Sequence, residues 1–203
     1  MSYTIGIIGS GNIGHALATH LSNTNYQVLL TNSRGPESLK EMVASIGGTV
    51  TPAGFKETVE RSDLILMAVP WNRLEEVAKE MAAFSGKIIV DATNNIVSVT
   101  PFQLANTGGK TTGEYVANLF PTHRVVKAFN TLGAAILALP PQSSAGKRVI
   151  VVTGDDKQAK EQVIELIKTI GFEPIDLGTL KEGGKLQDVG GSLSGTELIK
   201  VTK

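Results

Sequence analysis

An apolar run that breaks into three spaced glycines and then turns helical leaves a chain few folds to choose from. Tyr3–Ile8 is apolar, β-branched and too short for a stable helix, so it reads as a buried strand. Gly9-Ser10-Gly11-Asn12-Ile13-Gly14 follows at once, and His15–Leu21 continues as a helix. Strand, glycine turn and helix, in that order, are what a dinucleotide pyrophosphate requires. Gly9 permits the tight turn, Gly11 lets backbone approach the phosphates, and Gly14 lets helix and strand pack closely. The unpaired N–H groups and the positive dipole end of the helix would hold the anion, with Gly9, Ser10, Gly11, Asn12 and Ile13 as the binding loop.

A second motif bears on which dinucleotide is held. Val28-Leu29-Leu30 reads as the second strand, and Thr31-Asn32-Ser33-Arg34-Gly35-Pro36 follows it. An NAD site places Asp or Glu about here, on the ribose 2′-OH. No acid occurs in this stretch. A carboxylate would repel a 2′-phosphate, whereas Arg34 can take one through a fork of charged donors. Asn32 and Ser33 add neutral donors. The residues therefore predict NADP(H) rather than NAD(H).

Beyond these motifs, strands and helices alternate. Glu37–Ile46, Phe55–Arg61, Arg73–Phe84, Glu114–Leu119 and Lys157–Ile170 read as helices. Thr49–Val50, Asp63–Val69, Lys87–Asp91, Arg124–Phe129, Lys147–Thr153 and Glu173–Leu177 read as strands. Asp155 or Asp156 is placed to cap the last long helix. The pattern predicts an α/β protein of Rossmann type, a doubly wound and mostly parallel sheet. A short strand–helix–strand extension follows the turn-rich Pro140–Gly146. We expect a single domain over 1–203, with 1–139 as nucleotide-binding core and 147–203 as extension. Gly183–Gly195 is glycine-rich and is expected to be irregular. Every strand's C-terminal end is expected on one edge, so that Gly9–Asn12, Thr31–Arg34, Val69–Trp71, Ala92–Asn95 and Asn130–Thr131 converge in space.

Composition narrows the classes of function. Lys plus Arg and Asp plus Glu both number 19, which gives no electrostatic case for nucleic acid or an anionic membrane. There is no cysteine, so thiolate catalysis and Cys-ligated metals are excluded, and no metal site is expected. No apolar run approaches the roughly 20 residues that span a bilayer. We expect a soluble, cytoplasmic protein acting on a small molecule.

Residues for acid–base chemistry are scarce. The histidines are His15, His20 and His123, and none comes with a recognisable orienting partner. Asp91 ends a strand and is read as structural, bonding nearby backbone N–H groups. Direct hydride transfer between two redox rings needs no protein acid or base, only positioning and exclusion of water. Val69, Pro70 and Trp71 could line the nicotinamide pocket, though Trp71 suits a core equally well. Asn94, Asn130 and Thr131 could hydrogen-bond ribose or carboxamide, or simply make turns.

Several of these segments resemble one family, the NADPH-dependent reductases of the 5-deazaflavin coenzyme F-420. They are GIIGSGNIG at 6–14, TNSRGPESL at 31–39, AVPW at 68–71, VDATN at 90–94 and VVKAFNT at 125–131. TGDD at 153–156, GFEPIDLG at 171–178 and GGKLQ…GGSL at 183–193 extend the likeness over nearly the whole chain. The reductase domain of membrane-bound ferric reductases shares the general pattern. The resemblance implies NADP(H) on Gly9–Ile13, its 2′-phosphate at Ser33 and Arg34, and the nicotinamide near Val69–Trp71 and Asn130–Ala134. It implies a deazaflavin or flavin as second redox substrate, partly covered by the C-terminal segment. The archaeal reductases add C-terminal helices to the deazaflavin pocket and dimer, where this sequence has a short tail. The cofactor is thus implied more firmly than the acceptor, and a homodimer is compatible with the resemblance. Two other readings stay open: reduction of a small imine or 2-oxo acid, and a redox sensor that binds NADP(H) without turnover.

Overall fold

The computed structural model describes residues 3–201. The first half alternates as read from sequence. It runs β1 (Thr4–Ile8), α1 (Asn12–Leu21), β2 (Gln27–Thr31), a 3-10 turn at Pro36–Leu39, α2 (Lys40–Ile46), β3 (Val50–Pro52), α3 (Phe55–Arg61) and β4 (Leu64–Met67). A second 3-10 turn at Trp71–Arg73 leads into α4 (Leu74–Met81) and β5 (Ile88–Asp91). The second half has β6 (Ile96–Val99), β7 (Phe102–Leu104), α5 (Thr112–Leu119), β8 (Arg124–Ala128), α6 (Ala134–Leu137), β9 (Gln142–Ser143) and β10 (Gly146–Gly154). It ends with α7 (Lys157–Thr169), β11 (Glu173–Asp176), α8 (Gly184–Gln187) and β12 (Ile199–Lys200).

The main sheet runs β11-β10-β8-β5-β4-β1-β2-β3, and β9 and β12 pair with β10. From β1 to β3 the chain builds outward in one direction, and from β4 it returns to the other side of β1. Strand order therefore reverses between β1 and β4, which is where such sheets bind ligands. Successive strand residues feed opposite cores, as a period of two demands. Leu64 and Leu66 of β4 pack with α1 and α7 residues such as Leu17 and Val163. Ile65 and Met67 pack with Val59, Leu74 and Val116 on the other face.

Two helix starts illustrate local control. Thr111 and Glu114 close a reciprocal capping box on α5. Asp156, one of the two acids read as a cap, accepts from the Ala159 N–H at 2.7 Å. Asp155 instead accepts from the Leu180 N–H at 3.0 Å, tying down the chain after β11.

One expectation needs correction. β10 runs antiparallel to β8, with Val152 opposite Ala128 and Gly154 opposite Val126, and β11 follows β10 in parallel. The C-terminal ends of β10 and β11 therefore do not join the common edge. A parallel neighbour needs a long crossover, usually helical. Between β8 and β10 the chain offers only the four-residue α6 and the two-residue β9 before turning back. Gly183–Gly195, expected to be irregular, contains α8 and sends Gln187 into the core, where it is fully buried. No helix of the described residues is long and apolar enough to cross a membrane.

Candidate functional site

A cleft of about 1110 Å³ opens at the switch point. Its floor is the glycine loop Gly9–Ile13, and one end is formed by Thr31–Gly35. The other walls are Phe55 of α3, Ala68, Val69 and Pro70 after β4, Arg73, Glu76, Val77 and Glu80 along α4 and the turn before it, Ile96 and Val99 of β6, and Ala134.

The three glycines differ in what holds them. A Cβ on Gly9 would lie 2.2 Å from the Ala68 carbonyl oxygen, and its φ of +111° already excludes most side chains. A Cβ on Gly14 would lie 1.9 Å from the Gly9 carbonyl oxygen, so this glycine sets how closely α1 meets β1. A Cβ on Gly11 would meet nothing within 4 Å. Folding leaves the space beside Gly11 open, on the floor of the cleft. Gly11 is also the N-cap of α1 and supplies no side-chain cap, so the first N–H groups of the helix look into the cleft unpaired by a cap.

At the β2 end, Asn32 is the organiser. Its Oδ1 accepts from the Arg34 N–H at 2.9 Å, and its Nδ2 donates to the Ser10 and Ser38 hydroxyls at 3.1 Å each. That side chain joins the two phosphate-shaped loops. Ser33 and Arg34 are exposed. The Thr31 hydroxyl is buried and has no hydrogen-bond partner, an arrangement that is costly unless something fills it.

The structure separates the remaining predicted residues. Val69 and Pro70 line the cleft. Trp71 does not: it is 8% exposed and packs into the second core, its ring 5.2 Å from that of Tyr115. Asn94, Asn130 and Thr131 are also absent from the wall. The Asn94 amide donates to the Asn130 carbonyl at 2.9 Å, and the Asn130 amide donates to Asn94 Oδ1 and to the Gln187 carbonyl. Thr131 is buried and its carbonyl accepts from the Gly195 N–H. These three lock the end of β8 to the turn after β5 and to the C-terminal segment. Just before them Phe129, fully buried, has a φ of +67°, a conformation that costs about 1–2 kcal/mol and is held by packing.

Sequence reasoning missed the centre of this network. Lys127 on β8 is fully buried and pairs with Asp91 on β5, Nζ to Oδ2 at 2.9 Å. Lys127 also donates to the Thr93 carbonyl at 2.9 Å. Asp91 Oδ1 accepts from the Thr93 N–H at 2.9 Å and from its hydroxyl at 2.7 Å. Asp91 thus does bond backbone, and it also balances a buried cation. A lysine inside the apolar run VVKAF was the available signal, because a buried lysine needs a partner.

None of the three histidines lines the cleft. His15 is on the exposed side of α1. His20 Nε2 lies 2.6 Å from the Leu137 carbonyl, and burial holds this imidazole below its usual value. His123 is likewise lowered by burial and lies on the loop that enters β8, away from the cleft.

Residues 4–95 match the family model described as NADP oxidoreductase, coenzyme F420-dependent. These are the residues that carry the glycine loop, the Thr31–Gly35 loop and the Val69–Pro70 wall. They belong to that family. The fold agrees with that of a putative F420-dependent NADP reductase from Arthrobacter sp. FB24, at a TM-score of 0.75 and 26% identity over 87% of this chain and 84% of that one. Hypothetical protein SMa0349 from Sinorhizobium meliloti is 38% identical, with a TM-score of 0.91 over 98% of this chain and 96% of that one. Metalloreductase STEAP3 of Rattus norvegicus is 30% identical over 91% of this chain. The chain spans about a third of the length of such curated relatives, 36% in this case.

Proposed function

We propose that this protein transfers hydride between NADPH and a flavin or 5-deazaflavin ring, with the dinucleotide on Gly9–Ile13 and its 2′-phosphate at Ser33 and Arg34. The observation that carries the reading is a cleft joining a phosphate loop, a carboxylate-free cationic end at Thr31–Gly35 and a far side where Val69, Pro70, Ile96, Val99 and Ala134 supply apolar surface, with no histidine on it. Gly11's open Cβ direction, the unsatisfied Thr31 hydroxyl and exposed Arg34 all fit such a ligand. When bound, the dihydronicotinamide supplies two electrons and a proton as hydride, and the acceptor ring takes its second proton from water. The chain's part is to hold and shield. Asn32 fixes the spacing between the two loops, the α1 N-terminus meets the pyrophosphate, and Val69, Pro70 and Ala134 keep water from the rings.

Arg34→Ala tests the cofactor assignment. A charge-assisted contact is worth about 1.5–3 kcal/mol, or roughly ten- to a hundredfold in affinity. Titration calorimetry should show that loss for NADPH and almost none for NADH. Equal affinities of the unmodified protein for the two cofactors would overturn the assignment. The acceptor is tested by anaerobic NADPH oxidation against a 5-deazaflavin, FMN, FAD and ferric chelates.

Direct transfer makes a further prediction about the histidines. His15→Ala, His20→Ala and His123→Ala should each keep nearly full single-turnover hydride transfer. General acid–base catalysis supplies about a hundredfold or more, so a true participant would be conspicuous. With a 5-deazaflavin acceptor, deuterium at the transferred position of NADPH should be retained at C5 of the reduced ring, whereas on a flavin it would reach N5 and exchange with water. Loss of that label from the 5-deazaflavin product would contradict direct transfer, and a hundredfold loss in one histidine variant would favour reduction of an imine or oxo acid, whose nitrogen or oxygen needs a proton donor.

A further inference from the structure

The turn after β5 leads straight into a hairpin that pairs with nothing else. β6 and β7 form a separate two-stranded sheet, with Val99 opposite Phe102 and Ile96 opposite Leu104. Such a hairpin normally hides one apolar face, but this one exposes Val99 by 76%, Phe102 by 58%, Val97 by 44% and Leu104 by 42%. Among the described residues, half of the large exposed apolar side chains fall on these two strands. The segment 96–104, IVSVTPFQL, carries no charge. Ile96 and Val99 are also walls of the cleft. The hairpin grows from the C-terminal end of β5, on the side of the switch point away from the Thr31–Arg34 loop. That side takes the nicotinamide half of a dinucleotide in sheets of this order.

We propose that the β6–β7 hairpin is the platform for the second redox substrate, with Ile96, Val99 and Phe102 forming an apolar surface on which a planar flavin-type ring rests. This rests on the ring-to-ring reading of the site given above. The chemistry of the patch selects the occupant. A neutral apolar surface offers nothing to the phosphates of NADPH or to the carboxylate of a small oxo acid, both of which need cations or N–H donors. A flat heteroaromatic ring gains by covering such side chains and leaves its polar edge in water. The hairpin is thereby a determinant of acceptor choice that the nucleotide fingerprint does not contain.

The test uses the full chain saturated with NADP⁺ and follows binding of two fluorescent probes, FMN and a 5-deazaflavin. Val99→Asp, the milder Val99→Ser and Phe102→Ser all alter exposed positions. Each should weaken ring binding, Val99→Asp by about tenfold or more, the range in which apolar pocket contacts discriminate. Phe102 is not on the cleft wall, so the NADPH affinity of Phe102→Ser, by calorimetry, should be close to that of the unmodified protein. The proposal is overturned if ring binding is unchanged, if neither ring binds the unmodified protein, or if NADPH weakens in parallel with the ring in Phe102→Ser, which would make the hairpin a cover for the cofactor. It is also overturned if the variants only turn a sedimenting dimer into a monomer, which would make the patch a contact between copies. Ring binding without turnover in the unmodified protein would remove the hydride-transfer reading while leaving the platform standing.

Discussion

Lys127→Met is expected to cost about 3–5 kcal/mol of folding stability, because it strands the fully buried Asp91 carboxylate opposite an apolar side chain. For a domain of this size that corresponds to a fall of roughly 6–20 °C in melting temperature. The loss is large because Lys127 does more than neutralise a charge. Its second bond, to the Thr93 carbonyl, fixes the turn that leads to Asn94 and then to the hairpin. Asp91 holds the same turn from the other side through the Thr93 N–H and hydroxyl. Adding Asp91→Asn to Lys127→Met removes the stranded charge and keeps an oxygen for Thr93. The double variant should recover most of the loss, since buried pairs are often little better than a neutral replacement. Urea or thermal denaturation of the two variants checks both statements. A Lys127→Met protein within about 1 kcal/mol of the unmodified one would mean that the pair contributes little beyond its own desolvation.

How much of this was legible beforehand depends on which physical term fixes each part. β1 and β4 are apolar on both faces and β5 and β8 are largely so, so composition alone marks them, and the helices between them carry one apolar stripe. The glycine loop was legible because backbone geometry restricts Gly9 and Gly14 to glycine whatever surrounds them. The direction of β10 was not, because its residues are equally apolar either way up. Orientation came from the short path between Ala128 and Gly146. The hairpin was hidden for the opposite reason. Its side chains lie on the surface, and no buried face imposes a period on Ile96–Leu104. At Asn94 and Asn130 a carboxamide suits a ribose, a turn or another carboxamide equally well, and folding brings the two together. Trp71 was balanced between cleft and core, and Tyr115 supplied the core neighbour that no local pattern could reveal. Gln187 was hidden inside a glycine-rich tail. Its amide oxygen takes the Thr153 hydroxyl and its amide nitrogen the Val151 carbonyl, partners more than thirty residues away in sequence.

Two glycines of the phosphate loop should fail in different ways when given side chains. Gly14→Ala puts a methyl group 1.9 Å from the Gly9 carbonyl oxygen, and neither atom sits on a flexible side chain that could yield. The start of α1 must lift from β1. Overpacking of this kind costs about 1–3 kcal/mol or more, and the same displacement spoils the loop, so stability and nucleotide affinity should fall together. Gly11→Val meets no such obstacle. Its φ of −70° and ψ of −172° lie in the extended region that a β-branched residue favours, and nothing lies within 4 Å of the new Cβ. The melting temperature should be close to that of the unmodified protein. The valine would instead occupy the space through which the pyrophosphate reaches the first N–H groups of α1. Losing even two charge-assisted bonds, at about 1.5–3 kcal/mol each, weakens binding by about a hundredfold or more. Both cofactors should suffer alike, because the pyrophosphate is common to NADPH and NADH, in contrast to the selective loss expected for Arg34→Ala. Calorimetric titration beside a thermal melt separates the cases. A folded Gly11→Val protein with normal affinity for both nucleotides would place the pyrophosphate elsewhere. A Gly14→Ala protein of native stability would show that α1 can reach its position without the close approach to Gly9.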